Sequence, residues 1–130
     1  MSSLNLTQVG RVAVSVADTD RAIDFYVNTL GFEKVVDLPM GPDARWVEVA
    51  LAGTPTTVAL APPPPGKQVG GTETGIILDT TDVDSDHAAL SAAGVDVDAE
   101  VSRYGAGIPP MFWLRDPDGN SLCIVQPEGV

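Results

Sequence analysis

The chain contains little sulfur and little positive charge. Its 130 residues include one cysteine, Cys123, and one histidine, His87, with 18 acidic and only 7 basic residues. A single cysteine excludes an internal disulfide and a zinc site built from several cysteines. The net charge of −11 repels phosphate backbones and therefore argues against nucleic-acid binding. We interpret the scattered acidic residues as a solubilising surface.

Long apolar runs are also missing. No segment approaches the roughly 20 apolar residues that span a bilayer. The first residues, MSSLNLTQ, lack a basic-then-apolar signal pattern. With 44% hydrophobic and 19% charged residues, the composition is that of a folded domain and not of a disordered chain. We expect a soluble, cytoplasmic protein of one domain that does not bind membranes.

An internal repeat organises the sequence. RVAVSVADTDRAIDFYVNTLGF (11–32) and GIILDTTDVDSDHAALSAAGV (75–95) both read as an apolar strand, Asp-x-Asp, and a helix that ends at glycine. The matching aspartates, Asp18 and Asp82, are separated by about half the chain. This spacing indicates a duplicated structural unit.

Each half predicts the same order of elements. Asp18 or Thr19 caps a helix over 19–30, which Gly31 ends, and Asp82 caps a helix over 83–93. Three strands follow each helix, at 33–38, 45–52 and 56–61, and at 97–101, 109–115 and 121–126. The sequence PPPPGKQVGGTETG then reads as a linker. The prediction is an α+β domain with module 9–61, linker 62–74 and module 75–126, each module being βαβββ.

Two motifs, DRAIDFY…LGF and DPDGN, occur in an order and at a spacing that resemble the sequence pattern of a known family. The chain looks like a member of the vicinal oxygen chelate superfamily, which includes glyoxalases, bleomycin-resistance proteins and extradiol dioxygenases. The resemblance implies two βαβββ modules that form a curled, partly closed mixed sheet around a cavity. It also implies helices on the convex face and a homodimer.

The family binds a divalent metal through residues on the first and last strands of each module. The matching positions here are Arg11 and Ala59 in the first module, and Gly75 and Cys123 in the second. Arginine stays protonated, glycine and alanine offer no donor atom, and one thiolate does not make a site. We therefore expect neither a metal nor another cofactor.

Strand parity predicts which side chains face the cavity, because alternate residues point to opposite faces. The predicted lining mixes two tryptophans with a few polar groups: Arg11, Ser15, Trp46, Glu48, Ile77, Asp79, Met111, Trp113 and Cys123. Aromatic walls with a few polar groups suit a small organic ligand. Alternatively, Trp46 and Trp113 complete the core. Arg11 either pairs with Glu48 or Asp79, or holds a ligand oxygen.

Cys123 and His87 form the only cysteine–histidine combination in the sequence. The second helix carries His87 to the convex side of its sheet, whereas parity places Cys123 on the concave side. The sheet therefore separates them, and we predict no catalytic dyad. Cys123 is predicted to be a small apolar filler and His87 a half-buried helix residue.

These observations favour a metal-independent small-molecule-binding protein of the bleomycin-resistance type, which sequesters or carries an organic compound or confers resistance to it. The acidic charge is consistent with a cationic ligand. The alternative is a lyase, isomerase or dioxygenase-like enzyme of the same superfamily. In that case Glu48 or Asp79 acts as the general base, and Arg11 stabilises a developing oxyanion.

Overall fold

The computed structural model describes residues 3–128. The first half contains four strands and one helix: β1 (Arg11–Ser15), α1 (Thr19–Ile23, continued by a π-helical segment Asp24–Thr29), β2 (Glu33–Pro39), β3 (Arg45–Ala50) and β4 (Thr57–Ala61). The second half repeats this order with β5 (Glu73–Asp79), α2 (Val83–Ala92), β6 (Asp96–Val97), β7 (Met111–Arg115) and β8 (Ser121–Val125). The α+β class and the two βαβββ modules are confirmed.

Each module builds its own four-stranded mixed sheet. The strand orders are β1-β4-β3-β2 and β5-β8-β7-β6. In each module the first strand runs parallel to the last one, and the other neighbours are antiparallel. The two sheets therefore have identical topology, as expected of a duplicated unit.

The predicted helix ends are present. Asp18 accepts a hydrogen bond from the backbone N–H of Arg21 (3.1 Å), and Asp82 accepts one from Ser85 (3.0 Å). Gly31 and Gly94 follow their helices with φ of 84° and 81°. Glycine adopts this left-handed conformation at no steric cost, which explains why both helices end there.

The first helix departs from the prediction in its second half. The N–H of Leu30 bonds to the carbonyl of Phe25, which is five residues earlier, so Asp24–Thr29 is wound as a π-helix. The wider turn places two neighbouring aromatic residues, Phe25 and Tyr26, in the core together. Their rings meet edge to face, with centroids 5.4 Å apart.

Two predicted boundaries and the predicted closure of the sheet need correction. The strand expected at 97–101 is reduced to Asp96–Val97, because the chain then enters a loop with Gly105, Ala106 and Gly107 all at positive φ. β5 begins at Glu73, inside the predicted linker. Within residues 3–128, no strand pairing joins the two sheets, so they remain open and do not form one partly closed sheet.

The hydrophobic core lies on the side of the sheets that the helices cover. Alternate strand residues supply it, together with one face of each helix, and the fully buried members include Tyr26, Val47, Val49, Leu60, Phe112, Leu114 and Leu122. Helix α1 contacts β3 and β4, and α2 contacts β6 and β7. The opposite face of each sheet is left without a covering layer from the described chain.

The turn Asp116–Asn120 joins the two modules. The buried Asp116 accepts hydrogen bonds from the Tyr26 hydroxyl (2.9 Å) and the Asn120 side-chain amide (3.1 Å). Its other oxygen accepts from the backbone N–H groups of Asp118 and Asn120, both at 2.9 Å. Asn120 also donates to the Ser15 carbonyl (2.9 Å). The turn therefore launches β8 and holds the first module in place.

The linker is tied to the same turn. The N–H of Gly71 donates to the Asp118 carbonyl (3.1 Å). A Cβ atom on Gly70 would lie 2.0 Å from that carbonyl oxygen, and the residue has a φ of 74°. Only glycine allows the linker to pass this close to the turn.

Among residues 3–128, no helix is both long and apolar enough to cross a membrane.

Candidate functional site

The uncovered face of the first sheet gathers a polar cluster. Strand pairing places Arg11 beside Thr57, and Glu48 beside Ala59, on the face that also carries Trp46. The intervening residues of these strands are buried against the helices, as the predicted parity requires. The structure therefore places Arg11, Ser15, Trp46 and Glu48 on one face of the first sheet.

Glu48 is the centre of this cluster. It is only 8% exposed, and both carboxylate oxygens are occupied. Oε1 accepts from the Thr57 hydroxyl (2.7 Å), and Oε2 accepts from the Trp46 indole N–H (2.7 Å). Arg11 Nε lies 3.3 Å from Oε2. The sequence left open whether Arg11 pairs with Glu48 or with Asp79, and in the structure it pairs with Glu48.

These donors determine the ionisation of Glu48. The Thr57 hydroxyl and the Trp46 N–H hold the pKa of the carboxyl below its usual range, and the nearby Arg11 charge lowers it further, against the opposing effect of burial. A general base needs a pKa raised toward neutrality. Glu48 is instead an ionised group with a structural role, which weakens the enzymatic interpretation.

Replacing Glu48 with glutamine is expected to lower the free energy of unfolding at neutral pH by about 1–2 kcal/mol. Because the folded pKa is depressed, this contribution is present above the unfolded pKa and is lost as the pH falls through the folded one. The difference between wild type and variant should therefore shrink below about pH 4. Urea titrations across a pH series measure this, and a difference independent of pH would contradict it.

The uncovered face of the second sheet is mostly apolar. Cys123 lies between Ile77 on one neighbouring strand and Trp113 on the other. Met111 and Asp79 both pair with Val125 further along β8. Ile77 is 63% exposed although it is large and apolar. This face presents an aromatic and aliphatic surface to solvent.

Cys123 is buried, and burial raises the pKa of its thiol to about 11. It is therefore uncharged at neutral pH and behaves as a small apolar side chain, as predicted. His87 lies on the other side of the sheet, with its ring against Phe112 (centroids 5.0 Å apart). Its Nε2 donates to the Asp98 carbonyl (2.7 Å). The sheet separates the two residues, and the predicted absence of a dyad agrees with this geometry.

The predicted lining is divided between the two sheets. Arg11 and Trp46 both contact Glu48 on the first sheet. Ile77, Trp113 and Cys123 are neighbours on the second. Among residues 3–128, no strand pairing, hydrogen bond or ion pair joins the two groups. Within one chain the predicted lining residues therefore lie on two separate, open sheet faces, because the two sheets do not close on each other.

Sequence reasoning also missed residues of both faces. The Thr57 hydroxyl donates to Glu48. Thr57 lies on β4 directly opposite Arg11 of β1, so alignment of these two predicted strands could have identified it as a site residue. Arg115, which follows Met111 and Trp113 on the same side of β7, bonds Asp96 and Asp98, both at 3.0 Å. That cluster neutralises the positive charge at its end of the second sheet.

A groove of about 210 Å³ lies between the modules on the helix side. Leu30, Leu78, Ala89 and Leu90 line it, with Asp79 and Asp86 at its polar rim. It is separate from the faces that carry the two tryptophans. Asp79 is the last residue of β5 in the second sheet, and it also lies at the edge of this groove.

The residues at the family's metal positions do not fit a metal ion. They comprise a guanidinium, a methyl group, a glycine and a thiol with a raised pKa, at Arg11, Ala59, Gly75 and Cys123. Within residues 3–128, no group of three or more histidine, cysteine, aspartate or glutamate side chains is arranged to hold a metal. No step of the chemistry is therefore assigned to a metal.

The fold and the two open faces define a tandem βαβββ protein, and sequence comparison assigns its family. Residues 8–124 match the Glyoxalase/Bleomycin resistance protein/Dioxygenase superfamily. The chain therefore belongs to this superfamily. It is also 31% identical over 121 residues to the uncharacterized protein YetH of Bacillus subtilis strain 168, covering 93% of this chain and 99% of YetH.

Solved structures give the same result. The crystal structure of TnmS3, an antibiotic binding protein from Streptomyces sp. CB03234, is 35% identical, with a TM-score of 0.82 over 96% of this chain and 99% of TnmS3. A superfamily member from Sphaerobacter thermophilus DSM 20745 is 37% identical, with a TM-score of 0.81 over 93% of this chain and 98% of that one. Both confirm the fold.

Proposed function

We propose that the protein binds an organic small molecule without a metal and acts by sequestering or carrying it. The observation that carries this proposal is that both uncovered faces lack metal-donor side chains at the family's metal positions and carry a tryptophan instead. The strand positions of the metal donors hold Arg11, Ala59, Gly75 and Cys123, while the same faces present Trp46 and Trp113. Apolar and aromatic walls with a few fixed polar groups favour binding over electrophilic catalysis.

The similarity to TnmS3 supports the same proposal, since that protein binds an antibiotic and shares over a third of its residues with this chain. An aromatic compound of the size of many antibiotics would cover the partly exposed rings of both tryptophans. The enzymatic alternative is less well supported, because Glu48 is ionised and fully hydrogen-bonded.

We further propose that a second copy of the chain completes the site. Each uncovered face carries large apolar side chains in water, such as Leu38 on β2 and Ile77 on β5. Exposed apolar surface on a sheet face is typical of an interface. A twofold dimer that places the first sheet of one chain opposite the second sheet of its partner would cover both faces and create two equal cavities.

Recovery of the ligand after binding distinguishes a binding protein from an enzyme that converts the ligand. Aromatic compounds, antibiotics among them, are mixed with the protein and followed by quenching of tryptophan fluorescence. Bound compounds are then extracted and identified by mass spectrometry. The proposal predicts saturable binding and recovery of the unchanged compound. Conversion to a product that disappears on Arg11→Ala would support the enzymatic alternative instead.

A further inference from the structure

Arg11 differs from the other arginines in how its guanidinium is used. Four arginines bind carboxylates through their terminal nitrogens: Arg21, Arg45, Arg103 and Arg115. Arg11 contacts Glu48 through Nε instead. Among residues 3–128, neither of its terminal nitrogens has an acceptor, and its side chain is 56% exposed. Both terminal NH2 groups therefore remain available as charged donors on the uncovered face of the first sheet.

Glu48 restrains this guanidinium. The carboxylate is itself held by Trp46 and Thr57, so the contact through Nε limits the orientation of the planar group. The two terminal nitrogens of a guanidinium form a fork that matches the two oxygens of a carboxylate. A restrained fork loses less conformational entropy on binding than a free surface arginine does.

A flat hydrophobic element adjoins the fork. The Trp46 indole is held in place by its N–H bond to Glu48. Glu48 lies between Trp46 and Arg11, and small side chains follow beside it, with Ala59 and Ala13 paired on adjacent strands. Ala59 is fully buried, whereas Ala13 is exposed and offers a small apolar surface next to the fork. Aromatic rings stack favourably on an immobilised indole.

From this arrangement we propose that the site selects aromatic organic anions. The ring system lies along Trp46, and an ionised carboxylate or comparable oxyanion accepts hydrogen bonds from the terminal nitrogens of Arg11. This inference rests on the proposed binding function and narrows its ligand class. It also differs from the cationic ligand that the net charge of −11 alone would favour.

The local contact outweighs the overall charge because of distance. At physiological ionic strength, charges are screened beyond about 8 Å. The acidic residues far from Arg11 therefore slow the approach of an anion more than they weaken its bound state. Glu48, the nearest acid, is already compensated by three donors. The charged hydrogen bonds of Arg11 thus determine which ligand is retained.

The test compares two probes of equal shape, naphthoate and the neutral naphthalenemethanol, by isothermal titration calorimetry. Wild type is expected to prefer naphthoate by about tenfold, the discrimination that a charged hydrogen bond provides. Arg11→Gln should bind both probes within roughly twofold of each other, because the charged fork is lost. Arg103→Gln, which removes an arginine from a surface ion pair, is the matched control and should retain the wild-type preference.

Each other outcome overturns the proposal in a distinguishable way. Equal binding of both probes by wild type refutes anion selection but leaves the binding function intact. If neither probe binds to wild type, anion selection and the proposed binding function are both refuted. Equal loss of both probes in Arg11→Gln, together with a lower dimer fraction, shows that Arg11 is an interface residue. If Arg11→Gln does not fold, Arg11→Lys decides, since a point charge without the fork should lower the naphthoate preference several-fold.

Discussion

Replacing Asp116 with alanine is expected to lower the free energy of unfolding by about 3–5 kcal/mol. The carboxylate is buried and accepts four hydrogen bonds, two from side chains and two from the backbone. Its removal leaves buried donors of Tyr26 and Asn120 unpaired in the junction between the modules. Chemical denaturation followed by circular dichroism measures the loss.

Asp43→Ala is the matched control, because Asp43 is exposed and no hydrogen bond or ion pair is found for it in residues 3–128. It should change stability by less than about 0.5 kcal/mol. Tyr26→Phe isolates one of the four bonds. Burial and the Asp116 charge raise the pKa of the Tyr26 hydroxyl, so it remains a proton donor, and its loss should cost about 1–2 kcal/mol. Equal stabilities of the Asp116 and Asp43 variants would contradict the assigned role of the turn.

Replacing Trp46 with alanine is expected to weaken binding of an aromatic ligand by about 2 kcal/mol or roughly thirtyfold. The indole forms the flat part of the uncovered first sheet, and its N–H bond to Glu48 restrains it before the ligand arrives. Alanine removes both the stacking surface and that restraint. Fluorescence from Trp113 remains as the reporter, and titration calorimetry gives an independent affinity.

Trp46→Phe separates the two contributions. It keeps an aromatic ring but removes the donor to Glu48, so most of the affinity should remain, with a loss of about 1 kcal/mol. If alanine and phenylalanine at position 46 bind an aromatic ligand as tightly as wild type, Trp46 belongs to the core or to the dimer interface. A core position for Trp46 was already open from the sequence alone.

Much of the fold could be predicted because the determining features are local. Asp18 and Asp82 cap their helices, and Gly31 and Gly94 end them. Alternation of apolar residues fixed the buried face of most strands. The π-helical turn could not be predicted, because it results from packing two adjacent aromatic residues into one core.

The role of the DPDGN turn illustrates the same limit. Its residues read as a tight turn before the last strand, and they do form one. Their second role, in which Asp116 and Asn120 bond Tyr26 and Ser15 of the other module, depends on contacts between residues about 90 and 105 positions apart. Local sequence patterns do not encode such contacts.

The candidate site shows a similar division. Parity placed Arg11, Trp46 and Glu48 on one face, and in the structure Glu48 contacts both of the other residues. How the two faces combine into a cavity could not be predicted, because strand alternation determines a side of a sheet and not how two sheets face each other. A single chain leaves both faces open.

Native mass spectrometry of freshly purified protein, combined with elemental analysis after dialysis, tests the central claim most directly. Binding without a metal in a site shared by two copies predicts a dimer mass, less than stoichiometric zinc, nickel, manganese or iron, and release of any retained organic compound on denaturation. One equivalent of metal per chain that survives dialysis and is lost on substitution of Glu48 or Asp79 would contradict the account.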